Sequence, residues 1–155
     1  MMTSVNKDTR AGFATLIGAP NAGKSTLMNA MVGQKVSIVT PKVQTTRSRI
    51  RGIAMQDEAQ IIFVDTPGIF SPKRRLDRAM VNAAWQGAAD NDVLLLLNDC
   101  ARGRLDDETK MIVAKLVQQE QAAALILNKI DLATPEQVLV RTAELSTLFS
   151  FEKVF

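Results

Sequence analysis

The sequence predicts an α/β domain of three layers, a mostly parallel sheet with one antiparallel strand between layers of helices. Short β-branched or apolar runs alternate with amphipathic stretches along the chain, the pattern of strands linked by crossover helices. The run 93–97 is apolar at every position, as a central parallel strand covered on both faces must be. Two strand-like runs, 47–55 and 60–65, follow each other with only the polar turn Gln56, Asp57 and Glu58 between them. That turn is too short for a crossover helix, so this pair is antiparallel.

The first strand reads at 13–17, followed by a glycine-bounded loop at 18–23 and a helix at 24–32. Residues 35–46 read as an extended loop, interrupted by Pro41. After the antiparallel pair, 66–75 is irregular and basic, 76–89 is helical, and the apolar strand 93–97 follows. A helix at 106–119 opens with Asp106, Asp107 and Glu108, whose charge suits the positive end of the helix dipole. The run 123–127 is another buried strand. Thr134, Pro135 and Gln137 then give a capping hydroxyl, a proline at the first position and an amide that closes a capping box. That helix runs to about 149, and 152–155 opens a strand that the sequence does not finish. The expectation is a tail at 1–11 and one domain at 12–155, truncated at its C-terminus.

A chain of 155 residues that is 46% hydrophobic buries one substantial core. Its longest apolar run is far too short to span a bilayer, and the polar first dozen residues lack the apolar segment of a secretory signal. With no histidine, chemistry that needs an imidazole base, ligand or pH switch is excluded. The single cysteine, Cys100, excludes an internal disulfide, suits a reducing cytosol, and reads as a small buried residue. A net charge of +3 permits weak attraction to phosphates without indicating nucleic acid.

Gly18, Ala19, Pro20, Asn21, Ala22, Gly23, Lys24 and Ser25 fit G-x-x-x-x-G-K-S/T between a predicted strand and a predicted helix. At average composition a chain this long matches by chance roughly 0.5% of the time. The residue types explain themselves. Glycines let the loop curl so that backbone N–H groups, here from Asn21 through Thr26, converge on phosphate oxygens, and the helix that follows turns its positive end to them. Lys24 supplies a point charge for the β- and γ-phosphates, and the Ser25 hydroxyl can ligate Mg²⁺. This is a P-loop NTPase signature.

The apolar run 61–64 ends in Asp65, followed by Thr66, Pro67 and Gly68. An aspartate at a strand end beside the phosphate loop can hold Mg²⁺, usually through water, and Gly68 lets a backbone N–H approach the γ-phosphate. Read alone, the same residues make an ordinary turn; the phosphate loop forty residues earlier favours the metal. Asn128, Lys129 and Asp131 follow the strand 123–127 in an N-K-x-D pattern. A short carboxylate such as Asp131 can accept from N1–H and the 2-amino group of guanine, donors that adenine lacks on that edge. Asn128 can serve the N7/O6 side, and the Lys129 stem can lie over the ring.

Thr45 and Thr46 end the long loop, where a threonine can put its hydroxyl on Mg²⁺ and its N–H on the γ-phosphate, ordering the loop only with a triphosphate. Thr46 is favoured over Thr45. With Pro67, Gly68 and Ile69 they make the candidate switch residues. Ile69 stands near where Ras-like proteins carry a water-orienting glutamine, so intrinsic hydrolysis should be slow. Pro72, Lys73, Arg74, Arg75 and Arg78 form a basic cluster that is either a solvated loop or a surface for an acidic or RNA partner. Arg47, Arg49 and Arg51 share one strand face, read first as a solvent face. Trp85 and the methionines read as core or interface packing.

The segment 33–53, with Gly33, Gln34, Lys35, Thr40, Pro41, Gln44, Thr45, Thr46, Arg47, Arg49 and Ile53, resembles the first switch and second strand of the Era family of bacterial GTPases. So does 65–69 followed by Pro72, Lys73, Leu76 and Met80. The resemblance runs over nearly the whole chain from about Gly12. It implies a Ras-like G domain that binds GTP/GDP with Mg²⁺ and hydrolyses GTP in small ribosomal subunit (30S) assembly and 16S rRNA maturation. It also implies RNA contact through a C-terminal KH domain, a cytoplasmic location with peripheral attachment to the inner membrane, and a monomer. Asn21 matches the asparagine that ligates potassium in related cation-activated GTPases, where K⁺ takes the place of an arginine finger. The family's base-supporting loop, last helix and KH domain are absent from the sequence, and Asn98 stands where the family often has aspartate. A nucleotide-sensing module with incidental hydrolysis, partnered by a membrane or cell-cycle protein, is the alternative; Asp131 argues against an ATP-using kinase.

Overall fold

The computed structural model describes residues 10–33, 50–69, 75–89 and 91–155. Its elements are β1 (Arg10–Gly18), α1 (Lys24–Val32), β2 (Ile50–Gln56), β3 (Ala59–Asp65), α2 (Arg75–Ala89), β4 (Val93–Asp99), α3 (Asp107–Gln118), β5 (Ala124–Asn128) and α4 (Pro135–Leu148), with a 3₁₀ turn at Ile130–Leu132. The sheet order is β2-β3-β1-β4-β5. Every neighbouring pair is parallel except β2 with β3, which meet in an antiparallel hairpin closed by the Gln56–Ala59 pair. Asp57 supplies the left-handed backbone of that turn, at φ 52°. The predicted three-layer α/β sheet with one antiparallel strand is therefore the observed one.

Side-chain alternation divides the core between the two faces. Ile17, Leu94, Leu96 and Leu125 point to one side, where Ala84 and Ala88 of α2, Ile112, Val113 and Leu116 of α3, and Leu145 of α4 cover them. Ala14, Leu16, Phe63 and Leu97 point to the other, against Met28 of α1. Leu16 and Ile17 are adjacent in sequence and lie on opposite faces, as a period of two requires. Trp85 and Met111 pack on the larger cluster, in keeping with their reading as packing residues.

Ends differ from the sequence reading where pairing or capping decides them. β1 starts at Arg10 because its ladder to β3 opens with Arg10 opposite Ala59, although Arg10 and Ala11 carry no strand pattern. Asp106 is the cap of α3 and lies outside its first turn, its carboxylate accepting the Thr109 N–H at 2.7 Å. Thr134 and Gln137 close the predicted capping box on α4. The last residues do begin a strand: Val154 bridges Leu125 in parallel, and the Leu127 N–H donates to the Phe155 carbonyl at 2.9 Å. The loop at 35–46 with Thr45 and Thr46, and Pro72, Lys73 and Arg74 of the basic cluster, lie outside the described residues. So do Arg47 and Arg49.

Sheet order also locates the site. From β1 the chain goes to β3 on one side, and from there to β4 on the other, so the connections diverge at β1. In open α/β sheets the ligand crevice lies at the carboxyl ends of the strands at such a point. The carboxyl end of β1 is Gly18.

Candidate nucleotide site

Gly18 opens the turn that leads through Gly23 into α1. Gly23 has φ 101°, a left-handed conformation that side chains resist, and a Cβ there would run into the Asn128 carboxamide. Asn21 is left-handed as well, at φ 61°. Lys24, the first residue of α1, is buried at 6% exposure, and its Nζ donates to the Gly18 and Ala19 carbonyls at 3.1 and 2.9 Å. Burial pushes the Lys24 ammonium down to about 8 from its ordinary 10.5, with the Asp65 carboxylate pulling the other way. An ammonium buried without a full counter-charge favours an anion beside it. Ser25 and Thr26 follow on α1, Thr26 exposed.

Asp65 ends β3, in register with Leu16 of β1. The Ser25 hydroxyl donates to its Oδ2 at 2.6 Å across forty residues of sequence. The turn after β3 is riveted to β1 at two points: Thr66 Oγ1 donates to the Leu16 carbonyl at 2.7 Å, and the Ile69 N–H donates to the Gly18 carbonyl at 3.0 Å. Gly68 lies so close to the phosphate loop that a Cβ would sit 2.9 Å from the Pro20 Cα. Thr66, Pro67, Gly68 and Ile69 are all buried, and the Ile69 side chain belongs to the larger core cluster. The position that follows Gly68 is thus committed to packing.

The third segment reaches the same loop from β5. Asn128 Nδ2 donates to the Ala22 carbonyl at 2.9 Å, and Lys129 Nζ donates to the Asn21 carbonyl at 2.8 Å. Lys129 is left-handed at φ 59°, a strained conformation held by these cross-links. Asp131 is exposed in the 3₁₀ turn that follows. The structure therefore brings Asn21, Ala22, Gly23, Lys24, Ser25, Asp65, Gly68, Asn128 and Lys129 together at one end of the sheet. Asp131 makes no side-chain hydrogen bond or ion pair within the described residues.

The donor set fits Mg²⁺. A hydroxyl and a carboxylate at hydrogen-bond distance are hard oxygen ligands, and Mg²⁺ in nucleotide sites takes one or two of these and fills the rest with phosphate and water. No group of three or more acidic, thiol or imidazole side chains that could hold a metal occurs among the described residues, and such a site needs none.

Sequence patterns do not single out Asp99, Arg102 or Arg141, and the structure places them, with Asn98, behind the site. Asp99 Oδ2 accepts from Lys129 Nζ at 2.8 Å. Arg141 of α4, 3% exposed, donates to Asn98 Oδ1 at 2.6 Å and to the Asp99 and Arg102 carbonyls at 3.0 and 2.8 Å. Asn98 in turn reaches Thr109 Oγ1 at 3.3 Å. An acid at the carboxyl end of a parallel strand is the same signal that marks Asp65, and it could have marked Asp99.

A protein-family model described as 50S ribosome-binding GTPase matches residues 13–129. GTPase Era of Dinoroseobacter shibae is 55% identical over 99% of this chain and 51% of its own length. GTPase Era of Rhizobium meliloti is 51% identical over 100% of this chain and 51% of its own. Among solved structures, Aquifex aeolicus Era bound to GDP·AlF₄⁻ superposes with a TM-score of 0.83 at 34% identity, covering 94% of this chain and 50% of that one. Era in complex with MgGDPNP and nucleotides 1506–1542 of 16S ribosomal RNA gives 0.84 at 35% identity, with the same coverage. Toc33 of Arabidopsis thaliana, at 19% identity and a TM-score of 0.74, shares the fold. The chain spans about half the length of the relatives it matches. On a match that takes in most of its residues, the chain belongs to the 50S ribosome-binding GTPase family and, within it, to the Era type.

Proposed function

We propose that this chain is the nucleotide-binding part of a GTPase switch, which binds GTP with Mg²⁺, hydrolyses it slowly and acts in small ribosomal subunit assembly. The observation that carries the reading is the Ser25–Asp65 contact at 2.6 Å on a loop that Asn128 and Lys129 also grip. One turn of chain is thereby joined to a metal-binding acid on one side and a base-reading segment on the other. Lys24 would exchange its two carbonyl partners for phosphate oxygens, a stronger charge-assisted pairing. Ser25 and Asp65 would hold Mg²⁺, which when bound neutralises charge on the phosphate oxygens. Thr46, with Thr45 as the alternative, would complete that shell.

Slow turnover follows from Ile69, whose side chain is in the core and can orient no water. We assign the charge-stabilising role of an arginine finger to K⁺ held by the exposed Asn21; equal hydrolysis rates in KCl and NaCl would remove that assignment. Base choice rests on Asp131, whose exposure leaves its carboxylate open to a purine edge. Ribosomal RNA is the proposed partner because a relative at 35% identity is known in complex with 16S nucleotides. That RNA belongs to the small subunit, so the small subunit is preferred here to the large subunit named by the family description. A cytoplasmic monomer, attached peripherally to the inner membrane, completes the proposal.

The test is equilibrium binding of GTP, GDP and ATP to the whole protein, with and without Mg²⁺. Guanine nucleotides should bind and ATP should not, and Asp131→Asn should move preference toward xanthine nucleotides. Unchanged selectivity in that variant would defeat the base-reading argument.

A further inference from the structure

Asp99 is the last residue of β4, in register with Asn128 on one side, while Leu97, two residues earlier, is in register with Gly18 on the other. Its side chain is 10% exposed. Oδ1 accepts the Ala101 N–H at 2.9 Å, which turns the chain away from the strand. Oδ2 accepts Lys129 Nζ at 2.8 Å and lies 3.7 Å from Arg102 Nε. Both cations reach onward to the phosphate loop. Lys129 Nζ donates to the Asn21 carbonyl at 2.8 Å, and Arg102 Nη2 donates to the Pro20 carbonyl at 3.4 Å. One nearly buried carboxylate thus gathers two cationic arms and sets them on consecutive carbonyls of the same loop. Arg141 clamps the backbone on either side of the turn, through the Asp99 and Arg102 carbonyls.

We infer that Asp99 is a positioning residue for guanine-nucleotide binding, fixing the Lys129 ammonium and, through Lys129 and Arg102, the shape of the phosphate loop at Pro20 and Asn21. The inference rests on the guanine-nucleotide reading above. A lysine side chain has many rotamers, and its stem can cover a purine only if the head is tied down. The Asn21 carbonyl is a neutral acceptor; the Asp99 carboxylate supplies the charge-assisted bond that fixes the head before nucleotide arrives. Preorganisation of this kind acts mainly on release of the ligand. A carboxylate is required because it serves two cations and one backbone N–H at once. An amide keeps the N–H and loses the charge.

The experiment is a double-mutant cycle on the whole protein, read as the dissociation constant and release rate of a fluorescent GDP analogue. Asp99→Asn retains an acceptor for the Ala101 N–H, so the turn persists, and a thermal melt verifies the fold. The variant should weaken GDP binding about tenfold, chiefly through faster release. In a Lys129→Met background the same change should cost only about threefold, carried by the Arg102 arm that remains. Asp99→Glu, which keeps the charge, should recover part of the loss. Unaltered binding in Asp99→Asn, or an equal tenfold loss with Lys129 already removed, overturns the inference while leaving the guanine reading intact. A folded wild-type protein that binds no GDP analogue overturns both.

Discussion

Gly23→Ala tests the junction between the proposed phosphate loop and the proposed base-reading segment. Gly23 is left-handed, at φ 101° and ψ 17°. An L-residue held there costs about 1–2 kcal/mol of backbone strain. The added methyl also meets the Asn128 carboxamide, whose Nδ2 donates to the Ala22 carbonyl at 2.9 Å, and displacing it forfeits about 1 kcal/mol more. The sum is roughly 2–3 kcal/mol, or about 4–12 °C in Tm for a domain of this size. Gly33 provides the control. It is left-handed too, at φ 78° past the end of α1, but a Cβ there meets nothing within 4 Å. Gly33→Ala therefore carries the strain alone, and the difference between the variants, about 1 kcal/mol, isolates the Asn128 contact. Parallel thermal melts and GDP titrations decide the matter. Gly33→Ala should leave GDP affinity unchanged and Gly23→Ala should lower it. If the two variants melt together and bind alike, the packing of Asn128 on Gly23 has no energetic content and the reasoning fails.

Further outcomes follow from buried groups. The Lys24 ammonium is pushed down to about 8 by burial, so near that pH the free protein holds it about half protonated, whereas a bound polyphosphate keeps it charged. Nucleotide binding at pH 8 should take up about half a proton and weaken as pH rises further; calorimetry in buffers of different ionisation enthalpy measures this, and zero uptake refutes it. Arg141→Met leaves Asn98 Oδ1 and the Asp99 and Arg102 carbonyls without their buried donor, and should cost about 3 kcal/mol in urea denaturation. Arg141→Lys should not restore this, since one ammonium cannot span the fork; a loss under about 1 kcal/mol for Arg141→Met would contradict the clamp. Cys100 is 1% exposed, and burial pushes its thiol up against the opposing pull of Arg141. Its labelling at pH 8 should be about 100-fold slower in the native protein than in urea, and equal rates would place it at the surface.

That the motif residues converge was legible because the phosphate, metal and purine chemistry proposed for them demands particular residue types at particular spacings. Gly23, Lys24 and Ser25 lie in a contiguous loop, and Asp65 announces itself by ending an apolar run before Thr66, Pro67 and Gly68. The antiparallel hairpin was legible for a geometric reason, since no crossover fits between Gln56 and Ala59. What sequence could not supply were pairings across long separations. The start of β1 is set by Arg10 opposite Ala59, not by polarity. Arg141 looks like an exposed helix residue; its partners at Asn98 and Asp99 lie more than forty residues away, and only the fold closes that distance. Asn98 is the acceptor of that arginine, so its role is structural and local to α4 and α3.

On the proposed nucleotide reading, the two strand-end acids divide the labour of the site. Parallel strands align their carboxyl ends, so Asp65 on β3 and Asp99 on β4 flank the strand that carries Gly18. Asp65 meets the Ser25 hydroxyl, a neutral group whose lone pairs can turn to a metal. Asp99 meets Lys129 and Arg102, cations that hold it in place and are held by it. The first arrangement suits an acid that must accept a new ligand, because a hydroxyl gives way at small cost. The second suits an acid that must not move, because losing either cation would leave a buried charge short of its partner. Exchange of the two environments would destroy both functions, although each acid sits at the end of a parallel strand beside the same loop. Strand-end position alone therefore does not assign a role; the partner at the carboxylate does, and at Asp99 that partner is Lys129 of the proposed base-reading segment.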